Sequence, residues 1–173
     1  GQVWDLGTGS GAVAVTVALE RTDAVVRASD ISSGALAIAR KNAETLGARV
    51  EFALGSWFET DKTSSEDKHR FDVIVSNPPY IEAGDEHLSQ GDLRFEPQTA
   101  LTDFADGLIC IRELAQRAPE FLKEGGWLLL EHGYNQGAAV RQILTANGFA
   151  EVSTQQDLAG LDRLTLGMFR HVE

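Results

Sequence analysis

Short apolar runs alternate with amphipathic stretches along most of this chain. Strands are expected near 2–6, 25–30, 49–54, 71–76 and 126–131, followed by a pair near 149–155 and 163–169. Helices are expected near 10–21, 33–46, 105–122 and 136–147. In the third helix Leu108, Ile111, Leu114, Ala115, Ala118 and Leu122 recur at helical spacing and predict a buried face, with Cys110 on its apolar side. Gly125-Gly126 and Gly148 mark turns, and the polar stretch 60–70 reads as a solvated loop. Strand and helix in alternation predict a parallel sheet covered on both faces. The last two strands have no helix between them and should close one edge as an antiparallel hairpin. The expected fold is therefore a Rossmann-like α/β domain over 1–173, with a seven-stranded, mostly parallel sheet.

The first strand, Val3-Trp4-Asp5-Leu6, runs into Gly7-Thr8-Gly9-Ser10-Gly11 and then into a helix. Strand, glycine turn, helix is the entry to a nucleotide-binding unit, because glycines accept positive φ and let a ligand approach the backbone. The spacing is neither the dinucleotide fingerprint nor a phosphate-binding P-loop, and no Lys or Arg precedes Arg21. Asp30 ends the second strand, where a carboxylate can accept from both ribose hydroxyls or favour the next helix N-terminus. Ile31-Ser32-Ser33 reads as the cap of that helix. Asp5, the glycine loop and Asp30 together read as an S-adenosyl-L-methionine site, in preference to NAD.

The fourth strand stops at Asn77-Pro78-Pro79-Tyr80. Neither proline can continue a sheet ladder, so the backbone stiffens and its carbonyls point in set directions. One amide side chain and one ring stand beside them. The group suits a planar NH2, with two acceptors for its hydrogens and a ring for its face. Asn-Pro is also a common turn dipeptide, and the motif alone does not separate the two readings.

Charge narrows the choice of substrate. The chain has 15 basic and 26 acidic residues, a formal net charge of −11. Between Tyr80 and Asp106 there are seven acidic residues and one arginine. Nucleic-acid binding requires phosphate neutralisation, so this surface argues against direct contact with DNA or RNA and for a basic protein partner. A single cysteine excludes an internal disulfide, and four scattered histidines give no metal-ligand spacing. No run is long and apolar enough for a membrane, and the acidic pI of about 4.7 fits a cytoplasmic protein, expected to be a monomer.

These residues resemble a known family. Asp5 to Gly11, Ser76 to Ile81, Asp92-Leu93-Arg94-Phe95-Glu96-Pro97, Leu130-Glu131-His132-Gly133 with Gln136-Gly137, and the segments from Asp157 and Arg163 look like the bacterial PrmC/HemK protein-(glutamine-N5) methyltransferases. The resemblance spans essentially the whole chain. It implies a class I S-adenosyl-L-methionine-dependent methyltransferase fold, with S-adenosyl-L-homocysteine as product. It also implies methylation of the glutamine in the Gly-Gly-Gln motif of class I peptide chain release factors. Gly7, Thr8, Gly9, Ser10 and Gly11 would line the methionine part of the cofactor, with Asp5 before them. Asp30 would hold the ribose, and Trp57 would lie against the adenine. Asn77, Pro78, Pro79 and Tyr80 would hold the substrate amide, with Asn77, Pro78 and Tyr80 carrying the chemistry and Asn77 also near the cofactor.

The chain departs from the family in three places. Ser56 stands where an acidic residue is frequent, and Leu161 precedes Asp162 where Arg is common. The chain also opens inside its first strand, so the family's helical N-terminal recognition domain is expected to be absent. Two rival functions remain: an adenine-amino (N6) methyltransferase acting on DNA or RNA, since that amine is also planar and conjugated, and a non-catalytic cofactor-binding scaffold. Arg94 and Glu96 are expected either to touch substrate or to pair with each other and brace their loop, Arg163 is expected to brace the chain near the last strand, and Glu131 is assigned no role.

Overall fold

The computed structural model describes residues 1–61, 69–78 and 108–171. Seven strands, β1 (Gln2–Leu6), β2 (Val25–Asp30), β3 (Glu51–Leu54), β4 (Phe71–Ser76), β5 (Leu122–Glu131), β6 (Ala150–Gln156) and β7 (Asp162–Met168), form one sheet. Their order is β3-β2-β1-β4-β5-β7-β6. All pairings are parallel except β5 with β7 and β7 with β6. The expected edge hairpin is present, with the reversed strand β7 inserted between β5 and the outermost strand β6. The described helices are α1 (Ala12–Glu20), α2 (Ser33–Leu46), α3 (Ile109–Arg117) and α4 (Gly137–Ala146).

Side-chain alternation along β1 and β2 sorts the layers. Trp4 and Leu6 join a large core with Ile111, Leu114, Val140 and Leu144 of α3 and α4. Val26 and Ala28 instead join Ala14 of α1 in a smaller cluster. The register pairs Trp4 with Arg27 and Asp5 with Ala28. Trp4 and Arg27 therefore face α3 and α4, while Asp5 faces α1. Helices cover both faces, as the alternation of elements requires.

The apolar face expected on the third helix is buried throughout, from Leu108 to Leu122, and Cys110 is buried beside it. The helix itself is shorter than its periodicity predicts. It ends at Arg117 and tightens to a 3-10 turn over Ala118–Glu120, because Pro119 has no N–H for a helical bond. Strand β5 starts at Leu122, four residues earlier than expected, and bulges at the glycine pair. Phe71 pairs with Leu122, yet Val73 pairs with Trp127. Gly125 takes φ 81°, and a Cβ on Gly126 would lie 2.9 Å from the Lys123 carbonyl and 3.0 Å from that of Phe71. The two glycines thus turn the chain inside a strand. No helix among the described residues is long and apolar enough to cross a membrane.

Candidate active site

Strand order reverses between β1 and β4, and a sheet of this kind binds ligands at the carboxyl ends of its strands at such a point. Leu6 pairs with Ser76, which brings the start of the glycine loop level with Asn77. The Ser76 hydroxyl, fully buried, donates to the Leu6 carbonyl at 2.7 Å and ties the two strand ends together.

Gly7, Gly9 and Gly11 all have positive φ, at 72°, 58° and 83°. Each has a different surrounding. A Cβ on Gly11 would lie 2.9 Å from the Ala39 Cβ and 3.2 Å from its Cα, so the close approach of α1 to α2 excludes any side chain. Gly9 has nothing within 4 Å of its missing Cβ and faces open space. The amides of Gly7 and Thr8 both donate to the Ser29 carbonyl at 2.9 Å, and the Asn42 side chain donates to the Ser10 carbonyl at 2.9 Å.

Two carboxylates order this loop. Asp30 Oδ2 accepts the Gly9 amide and Oδ1 the Ser32 amide, both at 2.9 Å. The side chain of Ser32 in turn caps α2 by accepting from Ala35 at 3.1 Å. Asp5 lies beneath the loop, 4% exposed, and accepts the Thr8 hydroxyl at 2.7 Å. Burial pushes its carboxyl up to about 6, against the opposing hydrogen bonds from Thr8 and the Ala14 amide, with Asp30 adding a like charge. The loop contains no cation. Converging carboxylates and an open glycine suit hydroxyl or ammonium donors and would repel a pyrophosphate.

Beyond β3, Trp57–Thr60 forms a 3-10 turn for which the sequence offered no periodic signal. Trp57 is half-buried at φ 37°, and its Cζ3 lies 3.5 Å from where a Cβ on Gly7 would stand. The indole therefore flanks the first glycine of the loop. Next to it Phe58 is buried, stacked on Phe121 with centroids 4.7 Å apart.

Of the expected substrate-side residues, Asn77 is exposed and Pro78 is buried at the end of β4. Pro79, Tyr80, Arg94 and Glu96 lie outside the described residues. Glu131 is half-buried, and the register of Ser76 with Leu130 puts it level with Asn77. Arg163 braces the β6–β7 turn: its Nε donates to Asp157 Oδ2 at 2.9 Å, while Asp157 Oδ1 accepts the Ala159 and Leu161 amides. The structure thus brings together Asp5, Gly7 to Gly11, Asp30, Trp57 and the start of the Asn77 segment.

Sequence reasoning missed a second set of polar residues. His132, at the end of β5, is fully buried with Nδ1 2.8 Å from the Gly133 carbonyl and Nε2 2.7 Å from the Thr165 hydroxyl. Thr165 Oγ1 lies 2.7 Å from Thr154 Oγ1, which accepts from Arg141 Nη1 at 2.7 Å. One assignment uses every hydrogen. Arg141 donates to Thr154, Thr154 to Thr165 and Thr165 to His132 Nε2, while Nδ1–H donates to the carbonyl. The Gln136 side chain accepts the Gly133 amide at 2.9 Å and completes the loop. Two signals were available: the Leu130-Glu131-His132-Gly133 and Gln136-Gly137 segments of the resemblance, to which no role was attached, and a threonine inside the apolar run Leu164-Thr165-Leu166. Among the described residues, no group of three His, Cys, Asp or Glu could hold a metal ion.

Comparison with known proteins gives a consistent family. A Neisseria gonorrhoeae protein named release factor glutamine methyltransferase is 72% identical over 169 residues, 98% of this chain and 61% of that protein. A Xylella fastidiosa protein of the same name is 53% identical over 167 residues, 96% of this chain and 59% of that protein. The chain thus spans about three fifths of the length of these relatives. A solved methyltransferase structure from Pyrococcus furiosus superposes with a TM-score of 0.70 at 20% identity, covering 98% of this chain and 75% of the other, and so shares the fold. The model of the methyltransferase small domain matches residues 1–93, the half of the chain that holds the glycine loop, Asp30, Trp57 and Asn77, and the chain belongs to that family.

Proposed function

We propose that this chain is the catalytic domain of a protein-(glutamine-N5) methyltransferase. It transfers a methyl group from S-adenosyl-L-methionine to the side-chain amide nitrogen of the Gly-Gly-Gln glutamine in class I release factors. The observation that carries the reading is the 72% identity over 98% of the chain with a protein named release factor glutamine methyltransferase. The site supports it, because an open glycine loop with carboxylates and without cations fits a sulfonium amino acid attached to a ribose. The domain is proposed to act as a cytoplasmic monomer, with release-factor recognition aided by the part of the relatives that lies beyond this chain.

The cofactor supplies an electrophilic methyl group when bound. Gly7 to Gly11 would hold its amino-acid part through their backbone, with Asp5 ordering Thr8 from below. Each Asp30 oxygen retains a second acceptor site for a ribose hydroxyl, beyond the amide that it already binds. Trp57 offers a face to the adenine. On the other side of the switch point, the Asn77 side-chain oxygen and the Pro78 carbonyl would accept the two amide hydrogens, with Pro79 and Tyr80 proposed to complete the grip on the amide. An amide nitrogen is a poor nucleophile because its lone pair is delocalised, so orientation matters most. Near-attack geometry requires the reacting atoms about 3–3.5 Å apart, which the stiff Asn-Pro-Pro backbone would enforce. Positive charge growing on nitrogen is stabilised by the same acceptors, and no general base is needed before transfer.

Mass spectrometry of a class I release factor incubated with the chain and S-adenosyl-L-methionine tests the reading. One added methyl on the Gly-Gly-Gln peptide, absent from a Gln→Ala release factor, is expected. Methylation of adenine in a DNA control instead would reassign the substrate. Asn77→Ala should abolish transfer while S-adenosyl-L-homocysteine still binds, and unchanged turnover in that variant would remove Asn77 from the site.

A further inference from the structure

The backbone of Trp57 is held in a conformation that bulky residues avoid, and the residues that hold it come from elsewhere in the fold. At φ 37° the residue lies in the left-handed region, which a tryptophan keeps only when its surroundings determine it. Both sides of the turn are fixed. Before it, the Gly55 amide donates to the Asp30 carbonyl at 2.9 Å. After it, Arg27 Nη2 donates to the Thr60 carbonyl at 2.5 Å and to the Thr60 hydroxyl at 3.1 Å.

Arg27 is itself an unusual presence in β2. It lies on the sheet face opposite Asp5, half-buried, with its guanidinium 5.1 Å from the Trp4 ring centroid. Trp4 meets Phe58 edge-on at 5.5 Å, so the arginine and the phenylalanine beside Trp57 are locked through the same ring. A planar guanidinium can stack on an indole and still direct two hydrogens at one residue, which a lysine cannot do. Aliphatic residues would fill this face of a strand without placing Thr60 anywhere in particular.

We propose that Arg27 is a positioning residue for cofactor binding, acting through Thr60 to hold Trp57 against the glycine loop as a platform for the planar base. The inference rests on the methyltransferase reading above and adds to it the source of the platform's rigidity. Without the Arg27–Thr60 clamp, Trp57 relaxes to an ordinary backbone conformation and its indole leaves Gly7. The Asn77 segment, on the far side of β1, is not touched by this change. Arg27 therefore governs affinity for the cofactor and leaves the rate of transfer alone.

The test is calorimetric titration of the chain with S-adenosyl-L-homocysteine, alongside steady-state kinetics with a release factor. Arg27→Met, which keeps the aliphatic stem over Trp4, should weaken binding roughly 10-fold by removing a charge-assisted pair of hydrogen bonds. It should raise KM for S-adenosyl-L-methionine to match, with kcat at saturation within about two-fold. Thr60→Val, which loses only the hydroxyl bond, should weaken binding roughly 3-fold and decides the matter if Arg27→Met does not fold. In a Trp57→Ala background, Arg27→Met should change affinity by less than about two-fold, because the residue through which it acts is gone. A lower melting temperature with unchanged affinity in Arg27→Met or, should that variant not fold, in Thr60→Val would overturn the proposal, as would losses that multiply in the double variant. Absence of binding by the unaltered chain would overturn both this proposal and the methyltransferase reading, whereas binding unaffected by these variants would overturn this one alone.

Discussion

The two ends of the sheet's carboxyl edge are built on opposite plans. At β1 and β2 the site is made of backbone: three glycines at positive φ, amides donated to Ser29 and Asp30, and a missing Cβ at Gly11 that lets two helices touch. At β5, β7 and β6 the same edge is held by side chains, in a file from Arg141 through Thr154 and Thr165 to His132. The first plan leaves Asp30 with spare acceptor capacity beside an open glycine. The second consumes its own donors and acceptors and leaves a loop fixed beside β4. A ligand needs uncommitted acceptors in one region and rigidity in the other, and the two plans divide that labour.

Substitutions can break this contrast, and the largest effect is expected at Gly11. Gly11→Val would force a β-branched residue to φ 83° and into Ala39, at a cost of about 4 kcal/mol from strain and overpacking together. Urea denaturation should show that loss, together with loss of S-adenosyl-L-homocysteine binding. An unchanged midpoint would mean that α1 and α2 can part at little cost.

Asp5 gives the next largest effect, and its sign is specific. Its carboxyl is raised from 3.8 to about 6, so the folded state holds the proton more tightly than the unfolded chain. The resulting stability is fully present below pH 4 and is lost as pH rises through 6. That loss amounts to roughly 3 kcal/mol, since a tenfold difference in proton affinity is worth about 1.36 kcal/mol. Wild type should therefore fall relative to Asp5→Asn between pH 4 and pH 7, in paired denaturation curves. A gap that is constant with pH would show that Asp5 is already ionised without penalty.

His132→Leu removes the acceptor of the Thr165 hydroxyl hydrogen and one of the two donors to the Gly133 carbonyl, which keeps the Gln136 amide, and should cost about 2 kcal/mol. If the division of labour holds, this variant keeps its affinity for S-adenosyl-L-homocysteine while its melting temperature falls. A matching loss of affinity would join the two regions into one site. Arg141→Met, at the half-exposed outer end of the file, should cost less than about 1 kcal/mol, because water can replace the lost donor to Thr154.

Legibility followed the range of the interactions. The strand–glycine–helix entry, the Asp30 carboxylate and the Asn77-Pro78 stop are set by residues adjacent in sequence, and each stands in the structure where its local chemistry places it. The buried face of α3 was legible for the same reason, since periodicity reports burial directly. Its end was not, because Leu122 continues the helical spacing while Pro119 removes the bond on which the helix depends. Arg27 is, among its chain neighbours, only one charge within a strand. Only the register with Trp4 and the return of the chain at Thr60 turn it into a clamp.

The sequence by itself determined the order of elements, the glycine conformations and the chemical character of the site, because these depend on neighbours in the chain. Tertiary structure decided what the four segments at 27, 57, 132 and 165 do. Their partners lie tens of residues away, and whether a buried Arg, His or Thr is satisfied depends on which strand lies alongside it.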